Sequence, residues 1–254
     1  LASAARWLLP AERYRFVLLA ESDERAPHSS LSAMLAMFVR RWGDAGAGEG
    51  FFVRDGALDV EGVRAAIADA TAEGARVALL GATFAFVHLF DAVGDGRENA
   101  FGRGRLALPP GSVVMPTGGF KGRSRELEPD ELLRSLRGAF AVERAQIVQE
   151  YGMTELTSQA YEAHAEGGPP GRYFAPPWMR VDAVDPDTLA VLPPGHEGIL
   201  RVIDLANLGS CVAIQTADLG VAYAEGFEVR GRIAGATPRG CARAMDALLD
   251  GSSR

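Results

Sequence analysis

The order in which apolar and amphipathic segments follow one another constrains this chain more than any other feature of its sequence. Residues 15–20 (RFVLLA) form an unbroken apolar run with the length of a buried strand, and residues 31–42 then place apolar side chains at helical spacing. Segments 51–53 and 57–60 read as short strands. Residues 61–73 read as a helix that Gly74 ends, and residues 76–80 as a second buried strand, after which Gly81 starts a turn into residues 84–93. Strand, helix and strand in succession predict a layered α/β fold with parallel pairing. The pattern returns at 112–115, a short apolar strand that runs into Pro116-Thr117-Gly118-Gly119. An acidic run at 128–131 then opens an amphipathic helix that continues to residue 140.

After Gly167 the character changes. Three proline pairs separate short alternating segments, notably 179–184 and 197–203, which read as antiparallel β structure. The expected organisation is an α/β core over residues 1–166, a β-rich subdomain over 167–225, and a short C-terminal appendix over 226–254 with a helix at 241–249.

A net charge of −7 offers no broad basic surface for phosphates, which argues against nucleic-acid partners and a polybasic membrane anchor. The longest apolar stretch, 77–90, is too short to span a bilayer and contains His88. Two cysteines, Cys211 and Cys241, cannot make a disulfide framework in 254 residues, so a reduced, cytoplasmic protein is expected. His28, His164 and His196 show no ligand spacing with carboxylates or cysteines, and no zinc site is predicted.

The strongest chemical signal is Tyr151-Gly152-Met153-Thr154-Glu155 after an expected strand. It offers an aromatic face for a purine, a glycine for close backbone approach, a hydroxyl for phosphate and a carboxylate for Mg²⁺. Alone it reads more readily as a strand-to-helix turn with a capping threonine. Upstream, Thr117-Gly118-Gly119-Phe120-Lys121-Gly122 lets the main chain pass close to a ring or a phosphate, although it lacks the spacing of a phosphate loop. Lys121, the single lysine of the chain, is either a phosphate contact or a solvated charge. Downstream, Gln215-Thr216-Ala217-Asp218-Leu219-Gly220 presents a carboxylate suited to two ribose hydroxyls, or a turn residue. His88 is read as a satisfied core group and Cys211 as core filling.

In this order, and followed by Gly231-Arg232, the three motifs resemble the adenylate-forming superfamily of acyl-CoA synthetases, luciferases and peptide-synthetase adenylation domains. Thr117 through Glu126, Tyr151 through Leu156 with Ser158 and Gln159, and Arg239-Gly240-Cys241 resemble most the LuxE-type acyl-protein synthetases. The likeness runs from about Pro27 to Leu249. It implies an adenylate-forming-enzyme-like α/β core, ATP or AMP and Mg²⁺ as cofactors, and a fatty or related carboxylic acid as substrate. By that resemblance Tyr151 stacks on adenine, Gly118 and Gly119 line its pocket, and Gly152 and Met153 belong to the same binding loop. Thr154 contacts the α-phosphate, Glu155 holds Mg²⁺, Asp218 binds the ribose, and Arg232 adds a ribose or phosphate contact. Cys241 takes the acyl group as a thioester for a partner such as an acyl reductase; Arg239, Arg243 and a helix start favour its thiolate. A small buried cysteine is the bland alternative.

Two departures stand against the family pattern. The Ser/Thr/Gly-rich phosphate loop does not precede Leu31, so an N-terminal portion is expected to be missing. The appendix also has no lysine, which disfavours an acyl-CoA ligase. The competing readings are an acyl-activating enzyme, a noncatalytic AMP- or ATP-binding subunit, and, more weakly, an acyl-CoA ligase.

Overall fold

The structure is a computed structural model that describes residues 1–44, 50–93, 105–118 and 127–233. The described residues divide at Val148 into two units: Leu9–Val148, and Leu1–Leu8 with Gln149–Ile233.

In the first unit, β1 (Arg15–Leu19) leads to α1 (Ser30–Trp42), whose N-cap Ser29 accepts from the Ser32 N–H at 3.1 Å. A hairpin follows, β2 (Val53–Arg54) and β3 (Ala57–Leu58), turned by Asp55 and Gly56 with both residues at positive φ. Helix α2 (Val60–Glu73) is capped by Asp59, which accepts from Gly62 N–H at 2.8 Å, and is closed by left-handed Gly74. Then come β4 (Val77–Ala82), α3 (Thr83–Val93), β5 (Val113–Thr117) and α4 (Pro129–Phe140), the last started by the expected acidic turn. Strands β1, β4 and β5 pair in parallel in that order, as the strand and helix succession predicts.

All six residues of β4 are buried, because helices cover both faces of a parallel sheet. Gly81 does not start a turn, contrary to expectation. It lies in the ladder opposite Leu19, where a Cβ would stand 2.6 Å from the Leu19 Cβ, and the helix begins at Thr83 without a loop. Glycine is required there by the closeness of the neighbouring strand.

The second unit is a seven-stranded antiparallel sheet. Its strands are β6 (Glu150–Tyr151), β7 (Ala160–Glu162), β8 (Arg172–Phe174), β9 (Met179–Val184), β10 (Glu197–Asp204), β11 (Ala213–Ala222) and β12 (Phe227–Arg232), in the order β6-β7-β8-β12-β11-β10-β9. The two segments read from alternation, β9 and β10, pair directly. A helical turn at Ala4–Leu8 joins this unit; Arg6 pairs with Glu166 at 2.9 Å, and the Trp7 and Phe174 rings lie 6.1 Å apart.

This layout corrects the expected boundaries. The break placed after residue 166 falls instead at Val148, since β6 and β7 are hydrogen-bonded into the antiparallel sheet. Nor does an appendix begin at 226, because β12 lies inside the same sheet between β8 and β11. The helix expected at 241–249 lies outside the described residues. Among the described residues no helix is long and apolar enough to cross a membrane.

Candidate functional site

Three of the residues singled out in the sequence meet inside the second unit. Tyr151 sits on edge strand β6, four strands from β11 in the sheet order, which in a flat sheet would separate them by roughly 19 Å. Yet the Tyr151 hydroxyl donates to Asp218 Oδ2 at 2.9 Å. The sheet therefore curls strongly, bringing its edge back over β12 and β11. The filling of that curl fixes the phenol: the Tyr151 ring lies edge-on to Phe227 at 5.2 Å and tilted against Tyr173 at 6.0 Å, beside buried Ala160 and Leu200.

Asp218 is aimed by irregularity in the ladder. Ile199 faces Leu219 and Arg201 faces Gln215, so Leu200 alone stands opposite Thr216, Ala217 and Asp218. The Leu200 carbonyl accepts from Thr216 Oγ1 at 2.7 Å, and the Asp218 N–H turns back to Thr216 Oγ1 at 3.0 Å. A second register shift on the other side of β11, between Leu219 and Gly220, skips Arg230. Bulges of this kind redirect side chains out of the regular alternation. Arg232 lies directly across from Asp218, with its Nε 3.2 Å from Oδ1.

The electrostatics follow from this packing. Burial first, and then the Asp218 carboxylate beside it, hold the Tyr151 phenol far above the ordinary tyrosine range, so it is a neutral donor. A carboxylate has about four acceptor sites. Tyr151 and Arg232 engage one on each oxygen, leaving each oxygen room for one more hydroxyl donor.

The loop after Tyr151 is held from below by residues the sequence reading passed over. Asp204, fully buried at the end of β10, accepts at Oδ2 from the N–H groups of Thr157 (3.1 Å) and Ser158 (2.8 Å), and at Oδ1 from the Ser158 hydroxyl (2.9 Å). Asn207 accepts from Thr157 N–H at 2.7 Å and donates to the carbonyls of Glu155 (2.8 Å) and Cys211 (3.0 Å). Trp178 Nε1 completes the anchor on Ser158 Oγ at 2.9 Å. Over this anchor Gly152, Thr154 and Glu155 are exposed, while Met153 packs against the core that contains Leu156 and Val202. The only sequence signal for the anchor was Asp204 with Asn207 at a strand end, which alone reads as a turn.

The remaining candidates are placed as follows. Gly118, in the first unit, has φ 71° with nothing within 4 Å of a would-be Cβ; its carbonyl accepts from Thr83 Oγ1 at 2.7 Å. Gly119, Lys121 and Cys241 lie outside the described residues. Two expectations are overturned: Cys211 is exposed, on the loop between β10 and β11, and His88 is exposed on α3, where Phe84 meets its ring edge-on at 6.3 Å. Alternation alone could not tell either from a core position.

A cavity of about 260 Å³ in the first unit is lined by Leu58, Val60, Phe84, Ala85 and His88 among others. A broader one of about 950 Å³ in the second unit runs past Arg6, Arg172, Tyr223 and Phe227. Tyr151 and Asp218 line neither of these two.

Comparison with known proteins identifies the fold and the family. The chain is 24% identical over 205 residues to the long-chain-fatty-acid--luciferin-component ligase of Vibrio harveyi, covering 77% of this chain and 51% of that protein. It thus spans about half the length of the curated relative it matches. Among solved structures, ATP-bound MatB from Rhodopseudomonas palustris superposes with a TM-score of 0.57 at 16% identity, over 91% of this chain and 42% of that one. The luciferase-like enzyme of the mealworm Zophobas morio gives 0.56 at 16% identity, over 88% and 50%. The fold is thus the adenylate-forming-enzyme type that the motif order implied. The model of the family described as "Acyl-protein synthetase, LuxE" matches residues 58–250, and the chain belongs to that family.

Proposed function

We propose that this chain carries the adenylate-binding and acyl-transfer part of an acyl-protein synthetase, which activates a fatty or related carboxylic acid with ATP and loads it on the thiol of Cys241 for a partner such as an acyl reductase. The observation that carries this reading is the meeting of Tyr151, Asp218 and Arg232. An aromatic ring, a carboxylate with one free acceptor site on each oxygen and a guanidinium suit the base, the ribose hydroxyls and the phosphate of a nucleotide. Thr154, exposed on the anchored loop, offers its hydroxyl to the α-phosphate.

Glu155 fits Mg²⁺, a cation held through one or two carboxylates plus substrate phosphates. No group of three or more His, Cys, Asp or Glu gathers among the described residues, as a cage made by protein alone would need. When bound, the ion would neutralise charge developing on the phosphates. This chain's own contribution is to offer the Tyr151 ring to the base and the Asp218 carboxylate, steadied by the Tyr151 hydroxyl, to the ribose. It also keeps the loop 154–158 in place through Asp204 and Asn207.

Calorimetry with AMP tests the nucleotide half. Tyr151→Ala should weaken binding by about ten- to a hundredfold, since an aromatic–base stack contributes about 1–3 kcal/mol. Incubation with ATP and a labelled fatty acid tests the transfer half, with hydroxylamine-sensitive label on Cys241 and none in Cys241→Ala. AMP binding without any label would instead favour a noncatalytic nucleotide-binding subunit.

A further inference from the structure

Asp218 faces Tyr151 and Arg232 only because β11 swells beside Leu200, which stands alone opposite Thr216, Ala217 and Asp218. A single hydroxyl closes that swelling. On the β11 side of a regular antiparallel ladder, the Leu200 carbonyl would take a main-chain N–H. Here it takes the Thr216 hydroxyl at 2.7 Å, with the Gln215 side-chain amide as a weaker second donor at 3.4 Å. The same Thr216 oxygen accepts from the Asp218 N–H at 3.0 Å. Between them, the Ala217 carbonyl accepts from the Ile233 N–H at 2.9 Å. A hydroxyl can donate and accept through one atom, which a methyl group of the same size cannot do.

We infer that Thr216 is a positioning residue: its hydroxyl sets the direction of the Asp218 carboxylate, and through it the preference of the site for a nucleotide that carries its ribose hydroxyls. Tyr151 and Arg232 hold the carboxylate oxygens, at 2.9 and 3.2 Å, but neither holds the main chain from which the side chain springs. Thr216 does. Without its hydroxyl, the Leu200 carbonyl and the Asp218 N–H both lose a partner, and segment 216–218 is free to reseat toward a regular register. A slip of one residue turns a strand side chain to the opposite face, so the carboxylate would leave its place. This role rests on the nucleotide reading of Tyr151, Asp218 and Arg232.

The test is calorimetry on the full chain, comparing AMP with 2′,3′-dideoxyadenosine monophosphate, which has the same base and phosphate but neither hydroxyl. Hydrogen bonds to a charged acceptor contribute about ten- to a hundredfold each, so the chain should prefer AMP by about tenfold or more. Thr216→Val, close in shape at a half-buried position, should cut that preference to about twofold. Thr216→Ala should give the same loss, whereas Thr216→Ser, which keeps the hydroxyl, should retain the preference. Gln215→Leu should retain it too. In a chain that already carries Asp218→Ala, adding Thr216→Val should change nothing further, because the threonine acts through the carboxylate. A merely structural loss would weaken both ligands together and leave their ratio alone. A preference that survives Thr216→Val and Thr216→Ala, one that Thr216→Ser loses equally, or a further change on top of Asp218→Ala would each overturn the role of Thr216 and leave the nucleotide reading standing. A wild-type chain that binds no AMP, or does not tell the two ligands apart, overturns both.

Discussion

The parallel sheet of Leu9–Val148 and the antiparallel sheet that begins at Gln149 spend their buried polar groups differently. In the first, the core is hydrocarbon: β4 is buried throughout, Phe86, Phe90 and Phe140 pack as rings about 6 Å apart, and Glu21 is the one buried carboxylate among the described residues. In the second, Glu162, Asp182 and Asp204 are all buried, and each is engaged with donors from other segments. Glu162 takes the N–H groups of Gln149 and Gly171, Asp182 takes Arg201, and Asp204 takes the loop after Leu156. One unit is held by packing area, and the other is shaped by carboxylates that fasten loops to a curled sheet.

The sharpest way to break this contrast is to attack each unit by its own means. Phe140→Ala should destabilise the first unit by about 3–5 kcal/mol through the cavity it leaves. Hydrogen exchange should then rise across β1, β4 and β5. Asp204→Ala should cost about 2–4 kcal/mol, because it leaves buried N–H and O–H groups without acceptors. Urea unfolding followed by Trp178 fluorescence reads that loss, and AMP affinity should fall with it. If Asp204→Ala proves as mild as a surface change, the carboxylates are incidental and the contrast fails.

Alkali probes the same difference. Burial raises the phenols of Tyr151 and Tyr161 above their ordinary value, so folded chains keep them protonated at a pH where unfolded chains ionise them. The stability they contribute is complete below about pH 10 and declines as pH rises above it, by about 1 kcal/mol per phenol between pH 10 and 11. The second unit should lose more than the first, where Tyr14 is the phenol raised by burial. Denaturant midpoints at pH 8 and pH 11, read by exchange in each unit, measure the gap. The smallest effect belongs to Asp59→Ala, which removes the N-cap of α2 at about 1 kcal/mol. It should appear as faster exchange at the start of that helix, with the second unit unchanged.

The first unit was largely legible from sequence, because its strands and helices declare themselves by local apolar pattern and caps such as Gly74. Tyr151 and Asp218 were equally legible as residue types in motifs. What joins them was not. The curl that carries β6 over β11 and the double irregularity around Asp218 are properties of register between strands distant in sequence, and no local window contains them. The same holds for Asp204, whose partners lie some fifty residues earlier. His88 and Cys211 were misread for a related reason: each sits in an apolar neighbourhood of sequence, while exposure is decided by what packs alongside.

Asp204 and Asn207 seize main-chain atoms of residues 155, 157 and 158, joined there by the Ser158 hydroxyl. The contour of that loop is thereby separated from its chemistry. A library randomised at positions 155 and 157 would sample new ligand preferences on an unchanged scaffold. One that touched Ser158 or the two residues beneath it would scramble the scaffold itself.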